Sequence, residues 1–280
     1  MSQSILITGC SSGIGHHVAH ALQARGYRVF ATARNNEDIA RLTSEGLETL
    51  YLEYADSDSI RATANHVLEQ TDGKLYALFN NGAYGQPGAV EDLSREALKA
   101  QFEANFFGWH ELTCALLPSM RQQQTGRIIQ NSSVLGFAAM AYRGAYNASK
   151  FAIEGLTDTM RLELQGSGVH VSLIEPGPIV SKFRDNGYKM FKKYINADKS
   201  IHKEAYEGMI RRLTTEGPVA PFTLPPDAVH EKVVHALESK HPKERYYVTK
   251  PTWIMGITKR ILSTRQMDKL LTKAGGGGKR

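Results

Sequence analysis

Thr8-Gly9-Cys10-Ser11-Ser12-Gly13-Ile14-Gly15 stands between two segments of different periodicity. Before it, Ser4–Thr8 is a short apolar run of strand length. After it, Ile14–Arg25 places Val18, Ala19 and Leu22 on one helical face. Glycines at a strand-to-helix turn allow positive φ and let backbone approach a ligand closely. The free N–H groups and positive end of the helix then face an anion. The stretch therefore reads as a phosphate loop built by Gly9, Ser11, Ser12, Gly13, Ile14 and Gly15. Its spacing, Gly-x3-Gly-x-Gly, differs from the general dinucleotide fingerprint Gly-x-Gly-x-x-Gly. The same residues also fit Gly-x-Ser-x-Gly, the nucleophile turn of a hydrolase. A place on the first strand, and ten histidines without an evident partner motif, argue against that reading.

Outward from the loop, strand and helix signals alternate. Arg28–Thr32, Glu48–Tyr51, Leu75–Phe79, Arg127–Asn131 and Val169–Ile174 read as strands. Glu37–Ser44, Ser57–Gln70, Ser94–Leu117 and Ala145–Gln165 read as helical. This pattern predicts an α/β fold: a doubly wound parallel sheet of Rossmann type, three-layer α/β/α, in a single domain. Ser181–Thr223 interrupts the alternation; it is rich in Lys and carries Phe183, Tyr188, Phe191 and Tyr194. A long insert after a strand end is expected to be a substrate lid, spanning 181–225. Asp227–Leu237 and Arg245–Val248 add a helix and a strand, so 1–250 forms the catalytic domain. Residues 251–280 are expected to hold one amphipathic helix, with Trp253, Ile254, Ile257, Ile261, Met267, Leu270 and Leu271 at helical spacing. A disordered tail follows from Gly275.

Composition narrows the class. A chain of 280 residues with 41% hydrophobic and 22% charged residues can bury one large core. Two cysteines, Cys10 and Cys114, give neither a disulfide framework nor metal spacing, which fits a reducing cytoplasm and predicts no metal. His16-His17 opens the first helix and is read as exposed rather than ligating. No secretory signal is visible, and no run approaches the ~20 apolar residues of a membrane span. The net charge of +6 is uneven: residues 1–180 hold 13 Lys+Arg and 18 Asp+Glu, residues 181–280 hold 21 and 10. A basic C-terminal third fits a solvated surface, or peripheral contact with an anionic membrane. Its spread over the whole of 181–280 argues against nucleic acid.

The second strand runs out into Ala33-Arg34. A carboxylate there would bind the ribose 2′-hydroxyl of NAD. A guanidinium instead suits the 2′-phosphate of NADP(H) through bidentate, charge-assisted bonds.

Further motifs give the chain its likeness. Tyr146-Asn147-Ala148-Ser149-Lys150 is a Tyr-x3-Lys run, Ser133 precedes Tyr146 by thirteen residues, Asn105 sits in Ala104-Asn105-Phe106-Phe107-Gly108, and Pro176-Gly177-Pro178-Ile179 is a Pro-Gly turn. With the Thr8–Gly15 loop, these make the chain resemble the short-chain dehydrogenase/reductase family over Ser4 to Ile179. Three departures stand out. Asn80-Asn81-Gly82-Ala83 swaps the small pair of the family's Asn-Asn-Ala-Gly. Glu53 replaces the acid that reads the adenine amine, and Ser181 replaces a Thr after the Pro-Gly turn. The resemblance implies an enzyme that interconverts CH–OH and C=O groups with a nicotinamide cofactor. It assigns Tyr146 as general acid–base, Lys150 as holder of the nicotinamide ribose, Ser133 as hydrogen-bond donor to the substrate oxygen and Asn105 as holder of a relay water. It places Asn80, Gly82, Pro176, Gly177, Ile179 and Ser181 at the cofactor. A homo-oligomer is expected.

The residue types support that chemistry. Tyr146 and Lys150 are i, i+4 and share a helical face. At an effective dielectric of ~20, a cation about 4 Å away stabilises a phenolate by about 4 kcal/mol. That would bring a group that ordinarily titrates at about 10 close to neutrality, so Lys150 is expected to lower the Tyr146 pKa. The stretch Phe137–Tyr142 is mostly apolar, and the insert adds Phe183, Met190, Phe191 and Tyr194. A carbonyl on a hydrophobic body is the expected substrate, resembling those of family members acting on steroids, retinoids or long-chain aldehydes. Two other readings stay open: a non-catalytic NADP-sensing module, and an epimerase or dehydratase on the same fold.

Overall fold

Seven short apolar runs become strands: β1 (Ser4–Ile7), β2 (Arg28–Ala33), β3 (Glu48–Tyr51), β4 (Ala77–Asn80), β5 (Gly126–Asn131), β6 (Val169–Glu175) and β7 (Arg245–Tyr247). The computed structural model describes residues 2–275. All neighbours pair in parallel, in the order β3-β2-β1-β4-β5-β6-β7. Parallel strands must be joined by crossovers, and the intervening helices cover both faces. The expected doubly wound sheet is therefore present. Its order reverses between β1 and β4, and such a reversal opens a crevice at the carboxyl ends of those strands.

Side chains alternate across the sheet. Ile5 and Ile7 face one side, where they meet Val18, Ala19 and Leu22 of α1 (Gly13–Ala24), Leu42 of α2 (Asn36–Ser44), and Val229, Val233 and Leu237 of α9 (Asp227–Glu238). Leu6 faces the other side, with Ile60 and Val67 of α3 (Ser57–Gln70), Trp109 and Leu112 of α5 (Gly108–Gln122), and Ile153 of α6 (Gly144–Glu163). The single helical stretch expected over Ser94–Leu117 is instead α4 (Arg95–Phe102), a π turn over Glu103–Phe107, and α5.

The insert folds as two helices, α7 (Phe183–Tyr194) and α8 (Lys203–Thr214). They share a small core of their own, with Phe191, Ile195, Tyr206, Met209 and Leu213 packed against Ala89. The C-terminal segment departs from expectation. It is two helices, α10 (Lys250–Ile261) and α11 (Thr264–Ala274), broken where Ser263 and Gln266 form a reciprocal cap. Met255 and Met267 pack on Ala138, while Trp253, Ile254, Ile257 and Ile261 stay at least half exposed. Gly275 closes α11; the rest of the expected tail, 276–280, lies outside the described residues. Among the described residues no helix is long and apolar enough to cross a membrane.

One side chain ties the crevice together. Asn81, just past β4, donates from Nδ2 to the Thr8 carbonyl at 2.9 Å. Its Oδ1 accepts from Asn131 Nδ2 at 2.8 Å. Thr8 Oγ1 in turn accepts from the N–H groups of Asn81 and Gly82 at 2.8 and 3.0 Å. Removing Asn81 strips bonds from the ends of β1 and β5 at once. Asn81→Ala should destabilise the fold by about 1–3 kcal/mol, read as a lower urea midpoint at unchanged slope. An unmoved midpoint would show that this link is dispensable.

Candidate active site

The phosphate loop begins with an omission. α2, α3 and α4 are each capped by a side chain: Asn35, Asp56 and Ser94 accept from the first-turn N–H groups. Ser12, at the cap of α1, makes no such bond, and no acidic residue lies in that first turn. The orphan N–H groups and the helix dipole remain available to an anion. Gly9 and Gly13 hold φ of +68° and +59°, which disfavour any other residue. A Cβ on Gly15 would lie 2.3 Å from the Gly9 carbonyl oxygen, so α1 rests directly on the loop. A Cβ on Gly13 would lie 2.9 Å from the Ser181 Cβ, which brings the end of the Pro176–Ile179 turn over the loop. Ile179 pairs with Leu224 in an isolated bridge, and Gly177 packs against Thr249. Cys10 points into the core, where burial pushes its thiol up to about 12, so it packs rather than reacts.

At the far end of the crevice, Arg34 leaves β2 with its side chain 64% exposed, 3.7 Å from the Glu53 carboxylate. The two residues read separately from the sequence thus form one exposed ion pair. Such a pair is worth at most about 1 kcal/mol and yields easily to a phosphate. Asn80, expected at the cofactor through its backbone, keeps its side chain out of the crevice. Its side chain is fully buried, accepting from Tyr54 Oη at 3.2 Å and donating to Thr113 at 3.0 Å, so it is spent inside the core. Asn81, to which the sequence assigns no role, carries the contact to the loop. Gly82 lies beside it, packed against Gly9. Arg41 is a second residue without a sequence signal; from α2 it donates to the Ser11 carbonyl at 2.7 Å.

The catalytic candidates converge on α6. Tyr146 and Lys150 are buried one turn apart. Lys150 Nζ donates to the Asn131 carbonyl, at the end of β5, at 2.7 Å, and lies 4.2 Å above the Trp109 ring. Ser133 follows β5 in extended backbone; its Oγ accepts from Leu135 N at 3.1 Å and faces Tyr146. Asn105 lies in the π turn, fully buried. Its Nδ2 reaches the Tyr84 carbonyl at 2.9 Å and Ser149 Oγ at 3.2 Å, so it ties the kinked helix to α6 beside Lys150. π turns recur at functional sites because they leave helical backbone groups unpaired.

Burial sets the electrostatics. Desolvation pushes Tyr146 up to about 12, against the Ser133 hydroxyl and the Arg143 charge, which pull it down. Desolvation also pushes Lys150 down to about 7, against the attraction of Glu154. The spacing alone predicts that Lys150 lowers Tyr146. With both groups buried, desolvation dominates, since each is favoured neutral, and the charge that pulls Tyr146 down is that of Arg143. Arg143, three residues before Tyr146 and not anticipated, is itself lowered to about 10, by burial first and then by Arg212. Behind α6, Arg245 of β7 bonds Glu154, Glu175 and Asp158. Glu154 also accepts from Ser132, next to Ser133. This network fastens α6 to β6 and β7; burial, with Glu154 nearby, raises Glu175 to about 8.

The insert reaches the site through Phe183, whose ring stands edge-on to Tyr146 at 5.3 Å between centroids. Phe191, expected at the substrate pocket, is instead buried in the core shared by α7 and α8.

The Lys150 shift has a sign. Its folded pKa of about 7 lies below the ordinary 10.5. Between those values the unfolded chain binds more protons, so this group makes stability rise with pH. Lys150→Met should therefore stabilise the protein, with a full, flat gain below about pH 7 that fades to nothing by about pH 10.5. Urea unfolding of both proteins, from about pH 6 to about pH 10, reads the difference. A gain that grows with pH would contradict the buried, depressed ammonium.

Comparison with known proteins agrees with this geometry. The profile of the family described as short chain dehydrogenase matches residues 3–190. The chain is 42% identical over 271 residues to the uncharacterized oxidoreductase YbbO of Escherichia coli K12, covering 97% of this chain and 94% of that one. It is 30% identical to human 17-beta-hydroxysteroid dehydrogenase type 1, covering 88% and 77%. Among solved structures, a variant of actinorhodin polyketide ketoreductase with NADPH superposes with a TM-score of 0.72 at 26% identity, covering 88% of this chain and 95% of that one. An uncapped glycine loop on the first strand, a Ser–Tyr–Lys cluster across the switch point and these matches lead to one assignment: the chain belongs to the short-chain dehydrogenase family of nicotinamide-dinucleotide oxidoreductases.

Proposed function

We propose that the protein is an NADP(H)-dependent oxidoreductase that interconverts a carbonyl and an alcohol on a hydrophobic substrate. The observation that carries this reading is the meeting of Ser133, Tyr146 and Lys150, joined through Asn131 and Asn81 to the loop that leads into the uncapped α1. The loop Gly9–Gly15 and the first turn of α1 would hold the pyrophosphate. Ser181 and the Pro176–Ile179 turn would close over it, with Gly82 lining the crevice. Arg34 would exchange Glu53 for the 2′-phosphate, leaving Glu53 to accept from the adenine amine. When bound, the nicotinamide supplies or accepts the hydride. Lys150 would hold its ribose.

The residues around the carbonyl handle the proton. Ser133 Oγ donates a hydrogen bond to the substrate oxygen as negative charge develops there. Tyr146 Oη delivers the proton, and its position near 12 makes it a donor rather than an anion at neutral pH. Lys150 and Arg143 set the positive field that lets Tyr146 give up that proton. Asn105, through the π turn, would hold the water that returns a proton to Lys150. Phe183 and α7–α8 would serve as a lid over an apolar substrate, and the similarity to a hydroxysteroid dehydrogenase supports a bulky carbonyl. Leu98, Phe107 and Phe151 leave an apolar face on α4–α6 that suits a second copy of the chain.

Tyr146→Phe should lower carbonyl-dependent NADPH oxidation by about 10²–10⁴-fold with NADPH affinity unchanged by fluorescence titration. Undiminished turnover would remove Tyr146 as the proton donor. NADPH binding with no net oxidation across a panel of carbonyls would favour the sensing or epimerase readings. Arg34→Ala should weaken NADPH about 10–100-fold, as loss of charge-assisted bonds does, while NADH changes little. Equal losses for both would withdraw the 2′-phosphate assignment.

A further inference from the structure

On the outer face of α1, away from the catalytic cluster, three metal-ligand side chains converge. His16 and His20 are four residues apart, so their rings share one side of the helix, with centroids 4.6 Å apart. Both Nε2 atoms reach the same carboxylate oxygen, Oε2 of Glu45, at 2.8 and 2.9 Å. Glu45 caps the end of α2, so the donors come from two helices. Its other oxygen, Oε1, accepts from Arg41 at 2.8 Å. Arg41 also holds the Ser11 carbonyl of the phosphate loop.

We propose that His16, His20 and Glu45 form a site for a divalent transition metal of the Zn²⁺ type, clamping α1 to α2 behind the phosphate loop. Two imidazoles and one carboxylate suit Zn²⁺, Ni²⁺ or Cu²⁺, whereas Mg²⁺ and Ca²⁺ want oxygen alone. The ligand atoms lie within 4.8 Å of one another. A tetrahedral ion with bonds of about 2.0–2.1 Å needs its ligand atoms about 3.3 Å apart, so each histidine must draw back from Glu45 by a few tenths of an ångström. The histidine side chains are 34% and 31% exposed, which admits water as the remaining ligand. Each neutral ring need only move its proton from Nε2 to Nδ1 to offer a lone pair. Arg41 can keep Oε1 while the metal takes Oε2. The clamp then runs without a break from α1 through the ion, Glu45 and Arg41 to Ser11, and Arg41 orients the carboxylate as outer hydrogen-bond partners of metal ligands do. This proposal departs from the sequence reading, in which His16-His17 is exposed rather than ligating and no metal is expected.

The test uses the full chain without an affinity tag, stripped with a chelator. Equilibrium dialysis against Zn²⁺ should find one equivalent removed by His20→Ala or Glu45→Gln, each weakening affinity at least ~10-fold. Zn²⁺ should raise the thermal midpoint of the parent and not of either variant. Cys114→Ser should leave both results unchanged; it breaks a separate surface pair, in which Cys114 Sγ lies 3.6 Å from His110. Absence of stoichiometric Zn²⁺, binding that survives both variants, or binding lost with Cys114→Ser would each overturn the proposal. The two variants lie on different helices, so a folding defect in one leaves the other decisive.

Discussion

A single line of hydrogen bonds crosses the switch point of the sheet. It runs from the Thr8 carbonyl to Asn81, from Asn81 to Asn131, and from the Asn131 carbonyl to the Lys150 ammonium. The Gly9–Gly15 loop, the ends of β4 and β5, and α6 are therefore fixed relative to one another by two asparagine amides and an ammonium. Parallel strands leave polar ends at the same edge, and a buried polar end must find a partner. The amide of Asn81 meets that need for two strands at once. The positions of the Gly9–Gly15 loop and of α6 are thus consequences of the same interaction.

The cost of this arrangement falls on Lys150. An ammonium with 1% exposure has lost nearly all its hydration. It regains one carbonyl, from Asn131, and the face of Trp109. Trp109 is held in turn, since its Nε1 donates to the Gly82 carbonyl at 2.8 Å. These contacts do not match water, which is why the ammonium is depressed rather than stabilised. A lysine balanced between its two forms near neutrality can pass a proton in either direction with little driving force. The same burial that weakens it as a fixed charge suits it to a relay.

Much of this is legible in the sequence. Glu48–Tyr51 and Ser57–Gln70 match the strand and helix read from the sequence residue for residue. The Tyr146–Lys150 spacing by itself puts both groups on one buried face. What is not legible has physical reasons. The π turn at Asn105 leaves the apolar periodicity of 94–117 almost undisturbed, so only the backbone reveals it. Asn80 and Asn81 are identical in type, and one step of backbone separates a core side chain from a crevice one. The sign at Tyr146 escapes the sequence because a charge at a known spacing can be read there, whereas desolvation depends on what packs around it. The break at Leu262-Ser263 does carry a signal, the Ser263-x-x-Gln266 cap, which a continuous apolar stripe obscures.

The insert of α7 and α8 is coupled to α6 by more than proximity. Tyr142, four residues before Tyr146, holds a φ of +60°, a conformation that costs energy for a bulky residue and persists only under outside constraint. Two constraints are present. Its carbonyl accepts from Gly88 N at 2.9 Å, and its ring packs on Tyr206 of α8. Tyr206 in turn bonds Asp92 and the Ala89 N–H, so α8 is fastened to the same 88–92 loop that holds Tyr142. Arg184 of α7 ties back to the carbonyls of Arg212 and Thr215 at 3.0 and 2.7 Å. Displacing α7 and α8 would therefore relax Tyr142 and, through Arg143, the first turn of α6. Helices α7 and α8 and the first turn of α6 are thus joined through one strained tyrosine.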